Sequence, residues 1–189
     1  MRIIAGSLKG RRLLTPTWEG LRPTSDRLRE TLFNVLAPRI AGARVLDGFA
    51  GTGGLGIEAL SRGAAHVVFI ERERRAQALI ADNLARCGVA EGYTVIRASV
   101  NRGLSQARGR ADFAPFDIVL LDPPYDESAA AALQGIDEVI APGGVVVLEH
   151  ARRRPAPERS GRLGRVRELR AGDSALAFYS DVSVLNSSL

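Results

Sequence analysis

Cysteine and lysine are nearly absent from this chain of 189 residues, which has one of each, Cys87 and Lys9. A single cysteine excludes a disulfide framework within the chain and a metal site built from several thiolates. The two histidines, His66 and His150, are far apart and lack the spacing of metal ligands. We therefore expect no metal site, and we expect Cys87 to fill the end of a helix.

Long apolar runs are also missing, since no stretch approaches the roughly 20 residues that a membrane-spanning helix needs. The first six residues, MRIIAG, are not typical of a signal peptide. Hydrophobic residues make up 46% of the chain and charged residues 25%, as in ordinary globular domains. The length suffices for one well-filled domain and is short for two. The sequence thus predicts a soluble cytoplasmic protein with no membrane partner.

Positive charge comes almost entirely from arginine, and the net charge is +5. Arginine suits a phosphate-binding face because its planar fork pairs with two phosphate oxygens. A biased genome composition or a solvated ion network on the surface would be alternative explanations. The uneven placement favours nucleic-acid contact. Cations concentrate in the first thirty residues, where only Glu19, Asp26 and Glu30 oppose them: Lys9, Arg11, Arg12, Arg22, Arg27 and Arg29.

From residue 43 onward, short apolar runs alternate with glycine-rich turns and amphipathic segments. Nearly continuous apolar strands are typical of a parallel sheet that is covered on both faces. We predict a doubly wound α/β sheet, with an exposed loop at 152–165 and a last antiparallel pair at 165–170 and 176–182. The other predicted strands are 43–46, 67–70, 93–97, 116–121 and 145–148, and the predicted helices are 54–62, 73–87, 100–108 and 127–140.

The first forty residues precede this alternation and predict a separate basic extension, residues 1–40, ahead of a main domain at 41–189. Segments 2–5 and 11–15 predict a small hairpin around Gly6 to Gly10. A helix is expected to begin at a Thr24 or Ser25 cap, to run to about Leu36 and to end at Pro38.

A glycine-rich segment, DGFAGTGGLG at 47–56, follows the first strand of the main domain. Ligands of doubly wound sheets bind at such strand ends. Gly51, Gly53 and Gly56 together with Glu71 match the dinucleotide fingerprint, which keeps a nicotinamide cofactor open. Asp47 argues against it, because this acid would repel a pyrophosphate and attract a cation. An adenosyl ligand with a sulfonium and an ammonium group fits better, with Glu71 accepting from the ribose hydroxyls.

A second motif, Asp122-Pro123-Pro124-Tyr125, follows the apolar run 116–121. Proline has no N–H, and its carbonyl is free to accept a hydrogen bond. A carboxylate, such carbonyls and an aromatic ring suit a flat base that carries an amino group. A plain turn is the alternative, since Asp-Pro and Pro-Pro both mark turns. The position opposite Asp47 and Glu71 on one sheet edge favours the binding role.

These two motifs resemble those of the S-adenosylmethionine-dependent amino-methyltransferases. The N-terminal RII at 2–4, KGR at 9–11 and LRPTSDRLRETLFN at 21–34 narrow the resemblance to the RsmD family, bacterial 16S ribosomal RNA guanine-N2 methyltransferases. The similarity covers nearly the whole chain, including 56–64 and 172–176. It implies a seven-stranded, mostly parallel Rossmann-like methyltransferase fold and a guanine target in an assembling small ribosomal subunit.

The resemblance also implies roles for individual residues. Asp122 and the Pro123 carbonyl would accept the hydrogens of the amine, while Tyr125 would stack on the flipped-out base. Ser99 stands at the third strand end, where related enzymes carry Asp or Asn, and is the expected adenine contact. The implied cofactor residues are Asp47, Phe49, Gly51, Thr52, Gly53, Glu71 and Ser99. The expected catalytic residues are Asp122, Pro123, Pro124 and Tyr125. From the placement of the N-terminal charges, the expected RNA-binding residues are Lys9, Arg11, Arg12, Arg22 and Arg27.

Other functions stay open on the sequence alone. An adenine-N6 methyltransferase acting on DNA or RNA would also use Asp-Pro-Pro-Tyr, although no extended target-recognition domain is visible for reading DNA. A non-catalytic RNA-binding protein and an NAD-dependent enzyme are further alternatives. Nothing in the sequence demands a dimer, so we expect a monomer.

Overall fold

The fold is known from a computed structural model that describes residues 1–16, 26–124 and 126–183. Arg22, Tyr125 and the expected helix cap at Thr24 or Ser25 lie outside the described residues. The helices are α1 Asp26–Ile40, α2 Gly54–Ser61, α3 Arg74–Cys87, α4 Val100–Arg108 and α5 Ala129–Leu133, with a 3₁₀ turn at Ile136–Glu138. The strands are β1 Arg44–Asp47, β2 His66–Glu71, β3 Tyr93–Arg97, β4 Phe116–Leu121, β5 Ile140–Ala151, β6 Arg159–Ser160, β7 Leu163–Ala171 and β8 Ser174–Asp181.

These strands form one sheet in the order β3-β2-β1-β4-β5-β8-β7-β6. The five strands from β3 to β5 pair in parallel, whereas β8, β7 and β6 pair antiparallel. The prediction of a doubly wound, mostly parallel α/β fold is confirmed, with the two-residue β6 added to seven longer strands. The strand order reverses between β1 and β4, which makes their carboxyl ends the switch point.

Apolar side chains cover both faces of this sheet. Along β2, Val67 and Phe69 face one cluster, which includes residues of α1, α2 and α3. Val68 and Ile70 face the other cluster, which includes residues of α4 and α5. Burial on both faces explains why the strands read as continuous apolar runs. Cys87 ends α3 with 3% exposure and fills the first cluster, as expected.

The predicted helix across 127–140 is wrong. Helix α5 stops at Leu133, and Gly135 takes a left-handed φ of 74°, which an α-helix cannot contain. The following strand begins early, at Ile140, which pairs with Phe116. The next pair is Val145 with Ile118, so residues 141–144 bulge out of the ladder.

Two other boundaries differ from the prediction. Pro38 does not end α1, because proline in a last turn removes only one hydrogen bond and Ile40 beyond it is buried in the core. The segment predicted as an exposed loop at 152–165 holds β6 and the start of β7, with Leu163 buried completely. None of the helices in the described ranges has both the length and the hydropathy to cross a membrane.

The first residues form the expected hairpin, reduced to one antiparallel bridge between Arg2 and Arg12. The Ile3 amide donates to the Arg11 carbonyl and the Gly10 amide donates to the Ile3 carbonyl, both at 2.9 Å. The hairpin thus has the backbone hydrogen bonds that flank a turn around residues 6–10, but neither of its two sides forms a full strand.

A buried carboxylate on α2 binds this hairpin. Glu58 is fully buried and accepts hydrogen bonds from the amides of Ile4 at 2.7 Å and Ala5 at 3.0 Å. Arg62 Nε donates to the same carboxylate at 2.8 Å, so the charge is paired. The division of the chain near residue 40 stays a prediction, with these contacts running across it.

Replacing Glu58 by Gln would set an amide donor against a backbone N–H donor in a buried site. We expect the free energy of unfolding to fall by about 2 kcal/mol, because a buried donor loses its partner. Urea denaturation measures this loss, and Glu30→Gln on the exposed face of α1 is the matched control. Equal denaturation midpoints for Glu58→Gln and the wild type would contradict a stabilising role for this carboxylate.

Candidate active site

The carboxyl ends of β1, β2 and β4 meet at one cavity of about 1700 Å³. Both predicted motifs line it. From the predicted cofactor set, Asp47, Phe49, Gly51, Thr52, Glu71 and Ser99 lie on its walls. From the predicted catalytic set, Asp122, Pro123 and Pro124 lie there too. Asp47 and Asp122 are 75 positions apart in sequence. They share one cavity because parallel strands end on the same edge of the sheet.

The glycine segment turns sharply from β1 into α2. Gly53 has a φ of 75°, in the left-handed region that favours glycine, and its amide donates to the Ala50 carbonyl at 2.7 Å. Gly53 itself does not line the cavity; a side chain there would contact Ile57 and Ile80 at 3.4 Å. At Gly56 a Cβ atom would lie 2.2 Å from the Phe69 ring, so glycine allows α2 to pack on β2.

Glu71, the last residue of β2, fixes the position of this segment. Its carboxylate accepts hydrogen bonds from the amides of Gly51 and Glu73, each at 2.8 Å. The residue is 8% exposed and borders the cavity. Because a carboxylate has about four acceptor positions, two remain for hydroxyl groups of a ligand.

Asp47, the last residue of β1, is a carboxyl group with 1% exposure. Its Oδ2 accepts from the Gly56 amide at 2.8 Å. Its pKa is raised to about 7, chiefly by burial and to a lesser degree by the nearby carboxylates of Asp122 and Glu71, while the Gly56 hydrogen bond opposes the change. A cation in the cavity would favour the ionised form of this group. The site is therefore electrostatically suited to a positively charged ligand.

The Asp122-Pro123-Pro124 segment leaves β4 with all three residues half-buried at the cavity. The Pro124 carbonyl accepts from the Glu127 amide at 2.9 Å, which closes a turn. The segment thus lines the cavity, and its last residue accepts a hydrogen bond of the kind that turns make. Tyr125 lies outside the described residues, so its stacking role stays a prediction.

Ser99 lies at the amino end of α4 and is exposed at the cavity wall. Its side chain makes no capping hydrogen bond to α4. The adenine contact assigned to it stays a prediction.

Two residues that the sequence analysis missed connect the hairpin to the cavity. Met1 lines the cavity and packs at the start of α2, where a Cβ atom on Gly54 would lie 2.5 Å from its Cε. Asn83 of α3 is fully buried and donates to the carbonyls of Thr52 at 2.9 Å and Leu14 at 3.2 Å. Its Oδ1 also accepts from the Leu14 amide at 2.7 Å. A polar residue on the apolar face of α3 was the available signal.

The predicted RNA-binding residues separate into two places. Lys9, Arg11 and Arg12 are exposed on the hairpin, away from the cavity walls, while Arg27 is exposed on α1 and borders the cavity. Arg29, which was grouped with these cations, is fully buried, and its Nη2 donates to the Arg2 carbonyl. Arg29 therefore holds α1 against the hairpin and is not part of a surface patch.

The sheet order and the cavity at its switch point define the Rossmann-like fold of methyltransferases. A solved structure of yhhF from Escherichia coli has the same fold, with a TM-score of 0.78 and 36% sequence identity over 95% of this chain and 96% of that chain. Residues 1–180 match the family model described as "Conserved hypothetical protein 95". The chain belongs to this family, and the predicted membership of the RsmD family is confirmed.

Two relatives show how far this similarity extends. The Bacillus subtilis protein named "Putative rRNA methyltransferase YlbH" is 40% identical over 182 residues, which are 95% of this chain and 98% of the relative. "Ribosomal RNA small subunit methyltransferase D" of Escherichia coli is 46% identical over 125 residues, 66% of this chain and 60% of the relative.

The raised pKa of Asp47 predicts a pH-dependent cost to stability. Its pKa is about 7 in the folded protein against an ordinary 3.8. The folded state thus binds more protons between these values, and the free energy of unfolding falls as pH rises from about 4 to about 7. Relative to the wild type, Asp47→Asn should gain on the order of 2–4 kcal/mol between about pH 4 and pH 8.

Urea denaturation at several pH values measures this gain, with Asp82→Asn on the exposed face of α3 as the control. Curves for Asp47→Asn and the wild type that run parallel over the whole range would show that Asp47 titrates normally.

Proposed function

We propose that this protein uses S-adenosylmethionine to methylate the exocyclic N2 amine of a guanine in 16S ribosomal RNA. The observation that carries the proposal is the single cavity shared by Asp47 and Glu71 on one side and Asp122-Pro123-Pro124 on the other. The name of the Escherichia coli relative, "Ribosomal RNA small subunit methyltransferase D", supports the small-subunit RNA as substrate.

The donor half of the cavity fits this cofactor. S-adenosylmethionine supplies an electrophilic methyl group on a sulfonium when it is bound. Asp47 provides a carboxylate for the cationic methionine end, and the backbone at Gly51 lines the cavity without a side chain. The Glu71 carboxylate uses two of its acceptor positions for the amides of Gly51 and Glu73, so the other two are left for the two ribose hydroxyls. Ser99 is assigned to the adenine, with Phe49 and Thr52 on the adjoining wall.

The acceptor half is built to orient an amine. The lone pair of an exocyclic base amine is delocalised into the ring, so the amine is a weak nucleophile. Asp122 and the Pro123 carbonyl accept its two hydrogens and thereby turn the lone pair toward the donor side. The Asp122 carboxylate also stabilises the positive charge that develops on nitrogen. Alignment of the two reacting groups supplies most of the acceleration.

The target base must leave its stack to enter this cavity, as in other enzymes that modify a base. Tyr125 is assigned to stack on the extruded guanine, and Pro124 shapes the same wall. The hairpin cations Lys9, Arg11 and Arg12, together with Arg22 and Arg27, are assigned to phosphate contacts that set position but do not choose the base. We place the enzyme in the cytoplasm, acting as a monomer on an assembling small subunit.

Nucleoside analysis tests the reaction and the role of Asp122 together. Small-subunit particles from a strain that lacks the gene are incubated with protein and labelled cofactor, and the RNA is then digested. We expect N2-methylguanosine from the wild type. Asp122→Ala should reduce its formation by about 100-fold or more, because the amine is no longer oriented or its charge stabilised. Calorimetric affinity for S-adenosylmethionine should remain.

The control is Asp82→Ala, which removes an exposed carboxylate on α3. Formation of N6-methyladenosine would show that the target base is adenine and would overturn the proposed guanine target. An active Asp122→Ala enzyme would overturn the role of that carboxylate, and binding of NAD instead of S-adenosylmethionine would overturn the cofactor.

The hairpin arginines predict salt-dependent binding. Replacing both Arg11 and Arg12 by Gln should weaken binding to 16S RNA and lower the slope of log affinity against log salt by about 0.7–0.9 for each phosphate that the variant no longer neutralises. Filter binding over a salt series measures this slope. Arg86→Gln with Arg102→Gln, two exposed arginines that line neither cavity described for this protein, is the matched control. An unchanged slope would mean that the hairpin arginines are only solvated surface charges.

A further inference from the structure

A second cavity, of about 780 Å³, lies beside the first along β7 and the end of β5. We call it the arginine groove, because five arginines line it against the two carboxylates of Glu168 and Asp173. These cations belong to neither the hairpin nor α1. The arginines are Arg152, Arg153, Arg165, Arg167 and Arg170.

A β-bulge in β7 concentrates side chains in this groove. Arg165 pairs with Tyr179 and Arg167 pairs with Phe178, so Val166 is an extra residue between two consecutive partners on β8. Consecutive residues of a regular strand point to opposite faces. Here the four residues 165–168 all line the groove, as expected where a bulge redirects side chains. Val166 is 55% exposed, which adds an apolar surface between two arginines.

The groove contains both fixed and available cations. The Glu168 carboxylate accepts from Arg165 Nη1 at 3.1 Å and from Arg170 Nε at 2.9 Å, so this acid orients two arginines. The side chains of Arg153 and Arg167 are exposed and make no hydrogen bond or ion pair with the part of the chain that the structure describes. Their guanidinium groups are therefore available to pair with an anion from solution.

The groove borders the cavity of the proposed active site. His150, Pro155, Arg170 and Asp173 line both of them. A polynucleotide with one base in the large cavity must continue on either side of that nucleotide, and the groove is a positively charged path from it. Arginine pairs with phosphate oxygens through two parallel hydrogen bonds, so the lining matches a phosphate backbone.

We propose that the arginine groove binds backbone phosphates of the RNA next to the target nucleotide. The proposal rests on the proposed function for the identity of the polymer. An acidic protein segment would match the same charges, but the shared wall with the substrate cavity favours RNA. Phosphate pairing of this kind contributes affinity and register without reading sequence.

The test replaces Arg153 and Arg167 together by Gln, which removes two charges and keeps an extended polar side chain at each position. Fluorescence anisotropy then measures binding of 16S RNA between about 50 and 200 mM salt. We expect the slope of log affinity against log salt to fall by about 1.4 to 1.8, which corresponds to two phosphates. The paired variant Arg86→Gln with Arg102→Gln should keep the wild-type slope, and all proteins should bind S-adenosylmethionine equally.

RNA affinity and salt slope equal to those of the wild type would overturn the groove proposal. Poly-glutamate is a second competitor, compared with RNA at equal total charge. If it competes as well as RNA does, and only when Arg153 and Arg167 are present, the groove is assigned to an acidic protein segment and the groove proposal is overturned as well. The proposed function is read separately, from the methylated nucleoside. If the wild type forms N2-methylguanosine and the Arg153→Gln, Arg167→Gln variant binds RNA as the wild type does, only the groove proposal is rejected. If the wild type forms N6-methyladenosine and the groove variant binds RNA more weakly, only the proposal of guanine as the target is rejected.

Discussion

Two buried carboxylates hold the glycine segment against the edge of the sheet, and the candidate site depends on them. Glu71 accepts from the amide of Gly51 at the start of the turn, and Asp47 accepts from the amide of Gly56 inside α2. The segment is thereby held at its middle and at its far end by side chains of neighbouring parallel strands. Both acceptors lie at the ends of strands, so these hydrogen bonds tie the loop to the sheet.

This arrangement places negative charge where water is nearly excluded. The pKa of Asp47 is high because the protein solvates its ionised form poorly, and the carboxylates of Asp122 and Glu71 increase the effect. Such a group costs stability in the empty protein, and a cationic ligand would recover that cost on binding. The same acidity distinguishes the cavity from the pyrophosphate sites that share its glycine pattern.

Much of the fold could be predicted because local pattern and tertiary environment agree. The strand predicted at 93–97 has the same bounds as β3, and the helix at 100–108 has those of α4. The helix predicted at 127–140 failed because alanines and then apolar residues continue a helical pattern through Gly135, whose left-handed backbone is visible only in the structure. The sequence likewise does not distinguish the buried Arg29 from the exposed Arg27.

The candidate site could be predicted where it lies at strand ends, since a parallel sheet gathers those ends without further information. Contacts between distant segments could not be predicted. Asn83 binds Leu14 across 69 residues, and neither residue belongs to a recognisable motif. The bulge at Val166 that forms the arginine groove depends on its register with β8, which no local pattern reveals.

The attachment of the hairpin has a consequence for how this protein can be divided. Asn83 bonds both Leu14 of the N-terminal segment and Thr52 of the glycine segment, while Glu58 accepts hydrogen bonds from two hairpin amides. Removal of the first residues would leave Glu58 with Arg62 as its remaining partner and Asn83 with the Thr52 carbonyl alone, beside the glycine segment. The basic extension and the main domain therefore share buried hydrogen bonds, and neither part could be transferred to another protein without losing them.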